Sequence, residues 1–396
     1  MKGHIVKRGK DSWSIVLYIG RDPQTGKKQY KWHSLKGTKK QAEKELASII
    51  NRFETGNYIK PTKMTLGLFL EQWLRDYAST NTAPRTFERY AEIVRTHLIP
   101  NLGRITLTHL KPEHLQAYYT QELTSGRLNG KGGLSAQTVK HHHRVLSEAL
   151  NHAVKWGIVI RNVAHAVDPP RPVKKEIATI QAEDVNRLLE EARKFEKASS
   201  IPCYTLFYAA LHTGMRRGEL LALRWSDIDL DLMTISVNRS LQILKDGTKI
   251  IREPKTPKAR RSISMTPSLA LRLREHKESQ SALRLLDNNP VQHDHLIFSD
   301  FDGQSINPNT VTPAFSKIAK TAGLNLRLHD LRHTHATLML KSGVHPKIVS
   351  ERLGHATVAF TLDTYSHVVP GLQEAAAKAF GECLNNYTRQ KSEFVV

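Results

Sequence analysis

Apolar residues follow three successive patterns along the chain. SWSIVLYIG (12–20) and QYKWHSL (29–35) are rich in β-branched and aromatic residues, which predicts two strands. RDPQTGKK between them carries Pro and Gly where a turn needs them. TKKQAEKELASIINRFETG then takes a helical period, with Ala42, Leu46, Ile49, Ile50 and Phe53 on one stripe. Thr38 and Gln41 have the spacing of a capping box. A small sheet packed on one helix is expected over residues 1–56.

NYIKPTK (57–63) reads as a linker, and from Met64 the pattern is helical. Leu66, Phe69, Leu70, Trp73 and Leu74 share the face of a first helix. A second starts near Pro84, where proline suits a first turn. LKPEHLQAYYTQEL and SAQTVKHHHRVLSEALNHAVKWG give two more, separated by the flexible loop SGRLNGKGG. An all-α domain is expected over 64–167. DPPRPVKKE (168–176), with three prolines among charges, is expected to stay extended and exposed as a second linker.

The third part, 177–370, mixes both periods. Helices are expected at 183–195 and 201–222. Strands follow at TISV (234–237), KIIRE (249–253) and SISM (262–265), and helices resume from about 267. GLQEAAAKAFGECLNNY (371–387) makes a last stripe through Leu372, Ala375, Ala376, Ala379, Phe380, Cys383 and Leu384. This tail, 371–396, either packs on its own domain or docks on a second copy.

Composition adds a partner. The 396 residues exceed what one core usually organises. Lys and Arg number 59 against 37 Asp and Glu, a formal charge of +22. The first 63 residues alone hold 15 basic against 5 acidic side chains. Such charge favours a polyanion, nucleic acid before an anionic membrane surface. No apolar run reaches the roughly 18–20 residues of a membrane span, and MKGHIVKRGK lacks the apolar stretch of a secretory signal. Two cysteines, Cys203 and Cys383, supply neither a disulfide framework nor a thiolate zinc site, which fits a reducing cytoplasm.

Four motifs in the third part carry chemistry. In TGMRRGELLALRW (213–225), Arg216 and Glu219 stand i,i+3, so the carboxylate can orient the guanidinium fork. In REPKTPKARRSISM (252–265), Lys255 sits in a Pro-punctuated turn between strands. In HDLRHTHAT (329–337), His329 and Arg332 are i,i+3, and His333 is i,i+4 from His329. Two His at i,i+4 is also a zinc-helix spacing. A guanidinium on the same face repels a divalent metal, whereas a phosphodiester wants forks and imidazole donors around its oxygens. In LGHATVAFTLDTYSHV (353–368), His355 follows Gly354, which can end a helix, and Tyr365 lies ten residues on. Taken singly, each motif reads as well as surface charge or core packing. The run His141–His143 cannot aim three side chains at one point, so a solvated or phosphate-facing surface is expected there.

The ordered set Arg, Lys, His-x-x-Arg, His, Tyr resembles the tyrosine recombinase family, the lambda-type integrases of phages and conjugative elements. That resemblance covers nearly the whole chain. It implies a multidomain fold: an arm-type DNA-binding sheet domain, an all-α, SAM-like core-binding domain, and a mainly α catalytic domain with a small sheet. It implies Tyr365 as the nucleophile forming a 3′-phosphotyrosyl link. Arg216 and Arg332 would grip the non-bridging oxygens, and Lys255 would protonate the leaving 5′ oxygen. His329 would manage the tyrosine proton, His355 would hydrogen-bond the phosphate, and Glu219 would orient an arginine. His333, His335 and His367 receive no role. The implied partners are double-stranded DNA at core and arm sites, a homo-tetramer on that DNA, and optionally a directionality factor and a DNA-bending protein. No cofactor or metal is implied, and the setting is a bacterial cytoplasm, at the nucleoid. A type IB topoisomerase-like nicking–closing enzyme and a non-catalytic architectural DNA binder are the rival readings.

Overall fold

The computed structural model describes residues 3–21, 25–54, 63–173, 180–197, 199, 201–253, 260–286, 290–300, 302–365, 377–378 and 380–382. The chain divides into two compact units, residues 1–174 and 175–396.

The first unit opens with an antiparallel sheet in the order β1 (Gly3–Gly9), β2 (Ser12–Arg21), β3 (Lys28–Lys36), followed by α1 (Lys39–Glu54). β2 and β3 were expected; β1 was not, because GHIVKRG breaks its β-branched pair with Gly and charge. The capping box forms, with Thr38 N–H donating to Gln41 Oε1 at 2.8 Å. Strand alternation sends Ile15 and Leu17 inward against Ile49, with Leu46 and Ile50 packed alongside. The opposite face carries Tyr18 against Tyr30 at 5.7 Å and the Arg8 guanidinium 5.4 Å above the Trp32 ring. Trp32 is 57% exposed. The Phe53 side chain, residues 22–24 of the expected turn and most of the 57–63 linker lie outside the described residues.

The helical part of this unit has its own core. α2 (Leu66–Trp73) runs through a π-helical turn, Leu74–Ala78, into α3 (Ser79–Asn81). Leu66, Phe69, Leu70, Trp73 and Leu74, the stripe read from sequence, are all buried. α4 (Pro84–Ile93) continues through a second π-helical turn, Val94–Leu98, into α5 (Ile99–Leu102). Pro100 explains that turn: it lacks an N–H and its ring crowds the carbonyl four residues back. α6 (Pro112–Ser125) and α7 (Ala136–Lys155) complete the bundle, α7 capped by Ser135.

The His141–His143 run departs from expectation. His142 is 1% exposed, and its Nδ1 lies 2.8 Å from Tyr118 Oη. His143 Nδ1 lies 2.7 Å from Tyr119 Oη. Successive helical side chains point about 100° apart, so only one of the three can face the core fully, and His142 does.

The second unit is built on α8 (Ala182–Glu196), α9 (Cys203–Thr213) and α10 (Arg217–Leu220). The single helix expected over 201–222 is broken. Gly214 takes φ +64° and ends α9, a left-handed conformation that glycine adopts without penalty. Two small antiparallel sheets follow: β4 (Ile228–Asp229), β5 (Thr234–Val237) and β8 (Arg261–Ser264), and the pair β6 (Ser240–Ile243) and β7 (Lys249–Arg252). The helices α11 (Pro267–Leu286), α12 (Pro308–Thr321), α13 (Asp330–Lys341), α14 (Pro346–Leu353) and α15 (Val358–Tyr365) enclose a core that includes Leu188, Phe207, Leu221, Phe298 and Phe315. A second, smaller cluster gathers Ala336, Leu340, Val349, Leu353 and the Tyr365 ring. The expected tail helix lies largely outside the described residues; of its stripe, Phe380 is described and is 67% exposed. Among the described residues no helix is long and apolar enough to cross a membrane.

Phe315 is fully buried and meets Phe207 edge-on at 5.1 Å. Phe315→Ala is expected to lower the stability of the second unit by about 3–5 kcal/mol. Trp32→Ala, on the open sheet face, should change stability by less than roughly 0.5 kcal/mol. Denaturant midpoints of the two variants check the contrast.

Candidate active site

The site is assembled from four chain segments by arginines that reach across them. Arg216 caps α10, where its N–H donates to Glu219 Oε2 at 2.9 Å and its Nη1 to Oε1 at 2.8 Å. Glu219 is 4% exposed. Arg261, on β8, donates through Nη2 to the same Oε2 at 2.8 Å and through Nε to the Arg352 carbonyl at 2.7 Å. Glu219, read from sequence as orienting one arginine, contacts two.

Arg332 projects from the first turn of α13 and is buried. Its Nη1 donates to the Gly214 carbonyl and its Nη2 to the Leu353 carbonyl, both at 2.7 Å. Burial and the Arg216 charge bring its pKa down to about 9. Arg352 ties the same segments from behind, donating to the carbonyls of Ser264 (2.8 Å) and His212 (2.9 Å). Its Nε donates to Nε2 of His335 at 3.1 Å, while His335 Nδ1 lies 2.7 Å from the Leu211 carbonyl. The packing leaves no room for a side chain at Gly214, where a Cβ would sit 2.6 Å from both His335 and Leu353.

Gly354 takes φ +67° and ends α14, as expected, and His355 follows. His355 Nδ1 lies 2.8 Å from Thr361 Oγ1, and its ring stands edge-on to Phe360 at 4.8 Å. Burial, then Arg332, pushes its pKa down to about 3.

Tyr365 ends α15 with its ring in the small apolar cluster and 1% of its surface exposed. Its Oη lies 2.7 Å from Nδ1 of His333. His329, at the start of α13, stands edge-on to His333 at 4.9 Å. The imidazole that meets the tyrosine is thus His333 rather than His329. The i,i+4 spacing read earlier as a metal possibility instead sets the two rings edge to face. Burial raises the Tyr365 pKa to about 12 against the opposing pull of Arg332. Burial and His329 lower His333 to about 4, so at neutral pH this imidazole is an uncharged base.

The structure brings together Arg216, Glu219, His329, Arg332, His355 and Tyr365. Lys255 lies outside the described residues, between β7 and β8. Sequence reasoning missed Arg261, Arg352, His333 and His335. Arg261 stood in a quoted motif, but its partners are 42 and 91 positions away. His333 carried a signal, since i,i+4 from His329 puts it on the same helix face.

Comparison with known proteins identifies the family of each part of the chain. The Phage integrase family profile matches residues 178–371, the phage integrase N-terminal SAM-like domain matches 65–123, and an arm DNA-binding domain matches 4–53. A "tyrosine recombinase XerC-like" protein of Caldanaerobacter subterraneus subsp. tengcongensis is 28% identical over 96% of this chain and 98% of its own length. The ICEBs1 integrase of Bacillus subtilis is 26% identical over 96% of this chain and 100% of its own. Among solved structures, the Tn1549 transposon integrase in complex with transposon right end DNA covers 81% of this chain and 99% of its own, with a TM-score of 0.65 at 19% identity. A lambda integrase tetramer bound to a Holliday junction covers 91% and 94%, with a TM-score of 0.57 at 20% identity. The chain belongs to the tyrosine recombinases, as an integrase of the lambda type. It is a site-specific DNA recombinase.

Burial drives the Glu219 pKa up, but Arg261 and Arg216 outweigh it and hold the group below the ordinary 4.5. A depressed carboxylate pKa stabilises the fold above the unfolded-state value, and the benefit is lost as pH falls through the folded-state value. Glu219→Gln should therefore cost about 3–5 kcal/mol at neutral pH, as breaking a buried ion pair does. The gap to wild type should narrow as pH drops below the ordinary glutamate range. Urea unfolding across pH measures it; a gap that does not change with pH would contradict the assignment.

Proposed function

We propose that this integrase joins and excises a mobile element by attack of Tyr365 on one scissile phosphodiester per strand exchange. The observation that carries the proposal is the Tyr365 hydroxyl, 2.7 Å from a neutral imidazole and within the field of Arg332. In this scheme Oη attacks phosphorus, the P–O5′ bond breaks, and a 3′-phosphotyrosyl link forms. The phenol proton passes to His333, with His329 edge-on beside it. Lys255 gives a proton to the leaving 5′ oxygen. Arg216 and Arg332 neutralise the non-bridging oxygens as charge builds, with His355 as a further hydrogen-bond donor. The 5′-hydroxyl of the partner strand then attacks the phosphotyrosine in reverse. Phosphodiester energy is retained throughout, so no ATP is required, and two arginines and a lysine do electrostatically what metal ions do in nucleases, so no metal ion is required.

The division of labour follows the sequence parts: 1–56 on arm sites, 64–167 and 177–370 around the crossover core, with linkers at 57–63 and 168–176. The arm domain favours an integrase over a nicking–closing enzyme. Its open face offers aromatic rings and Arg8 to DNA, while its other face is occupied by α1. Four copies would act on one Holliday junction, and exposed Phe380 is consistent with a tail, 371–396, that docks on a neighbouring copy. A directionality factor and a DNA-bending protein are possible further partners, and the workplace is the bacterial cytoplasm at the nucleoid.

The test is a nicked suicide duplex carrying the element's attachment site, incubated with chelator and without ATP. Wild type should give a covalent protein–DNA adduct on a denaturing gel, and Tyr365→Phe should give none. An adduct that survives in Tyr365→Phe, or cleavage by folded, DNA-bound protein that requires added Mg²⁺, would refute the scheme. Arg216→Ala and Arg332→Ala should each slow cleavage roughly 100–1000-fold. Because His333 is already neutral well below its ordinary value near 6.5, cleavage should not fall between about pH 8 and pH 6. Arg8→Ala combined with Trp32→Ala should weaken arm-site binding. It should also flatten its salt dependence by about one phosphate contact, a slope change of roughly 0.9.

A further inference from the structure

The helical part of the first unit buries a group of ionisable side chains that strand exchange does not use. His97, Glu122 and His142 converge from three helical segments: the π-helical turn before α5, α6 and α7. One ligand atom from each lies within 4.8 Å of the others. Glu122 is 3% exposed, and no hydrogen-bond donor reaches its Oε2 in good geometry. What faces that oxygen is Nδ1 of His97 at 2.8 Å and Nδ1 of His142 at 3.6 Å.

We propose that His97, Glu122 and His142 form a divalent-cation site of the zinc type within the core-binding bundle. Zinc bonds to imidazole nitrogen at about 2.0–2.1 Å and to carboxylate oxygen at about 2.0–2.2 Å. Tetrahedral ligands are then about 3.4 Å apart. The Glu122 oxygen already lies near that distance from both imidazoles, and all three ligand atoms fall within 4.8 Å, so the imidazoles need to close on each other by at most about 1.4 Å. Two imidazoles and one carboxylate are a donor set that zinc accepts with a fourth position open.

Three further observations support a built site. Asn101 Nδ2 donates to the other carboxylate oxygen, Oε1, at 3.3 Å, and Asn101 Oδ1 accepts from Gln121 Nε2 at 3.0 Å. Such outer contacts fix a ligating carboxylate in place. His97 lies on the π-helical turn, and turns of this kind re-aim side chains and are frequent at functional sites. A cleft of about 370 Å³ reaches His97 and His142, with Glu92 on its wall against the charges of Arg89 and Arg127. Tyr118 Oη, 2.8 Å from His142 Nδ1, would exchange that partner for the metal-bound group beside it. Bound zinc would fasten α6 and α7 to the segment between α4 and α5.

The test uses tag-free full-length protein, because the chain holds 20 histidines and other weak sites are expected. Wild type, Glu122→Gln and His97→Gln are dialysed against Zn²⁺ and the bound metal is counted. Each variant should bind one zinc fewer per chain than wild type. Zn²⁺ should raise the thermal midpoint of wild type and not of the variants. Substitution by Co²⁺ in wild type should give the strong visible bands of a tetrahedral nitrogen–oxygen site, which decides the matter even if a variant fails to fold. Wild type without bound zinc, equal stoichiometry and midpoint shift in all three proteins, or only weak octahedral Co²⁺ bands, would overturn the proposal.

Discussion

One buried carboxylate organises the catalytic unit. Glu219 receives the Arg216 backbone N–H, the Arg216 fork and the Arg261 fork, almost wholly out of water. Those bonds join the start of α10 to β8. From there Arg261 reaches the end of α14, Arg332 reaches both that end and the turn after α9, and Arg352 reaches β8 and α9 again. Three guanidinium groups, of Arg261, Arg332 and Arg352, thus cross-link the unit largely through backbone carbonyls. Carbonyls orient a cation without cancelling its charge. Burial first, and then the opposing Arg216 charge, lower the Arg332 pKa to about 9. An anion arriving at this cluster relieves that opposition, and a phosphodiester has the oxygen geometry that forks recognise.

The tyrosine is subject to the opposite constraint. Its ring is core, packed with Leu340, Val349 and Leu353, and burial keeps its hydroxyl protonated. A base is therefore needed at the hydroxyl itself, and the neutral His333 meets that need. Packing and chemistry share one residue: the contacts that stabilise α15 also fix the direction of Oη.

The fold was legible in sequence where it rests on local periodicity. The stripes of α1 and α2, the capping box at Thr38 and Gln41, and the glycine stop at Gly354 all follow from neighbours within a few residues. The ordered motifs also located most of the site. What escaped depends on distance along the chain. The helix break at Gly214 is a one-residue conformational event inside an apolar run. The partners of Arg261 and Arg352 come from segments 17 to 140 positions away. Nothing local distinguishes His142 from His141 and His143 until α6 presents Tyr118 and Glu122 to it. Likewise, the i,i+4 spacing put His333 beside His329, but only the packing of α15 on α14 and α13 decides which ring touches Tyr365.

The central claim is that one phenolic oxygen carries the covalent chemistry of this integrase. The most direct measurement is tandem mass spectrometry of the trapped protein–DNA adduct after nuclease and protease digestion. The account requires the residual 3′-nucleotide to be found on Tyr365, joined through a phosphate. A nucleotide on any other residue, or a linkage through the 5′ end, would contradict it.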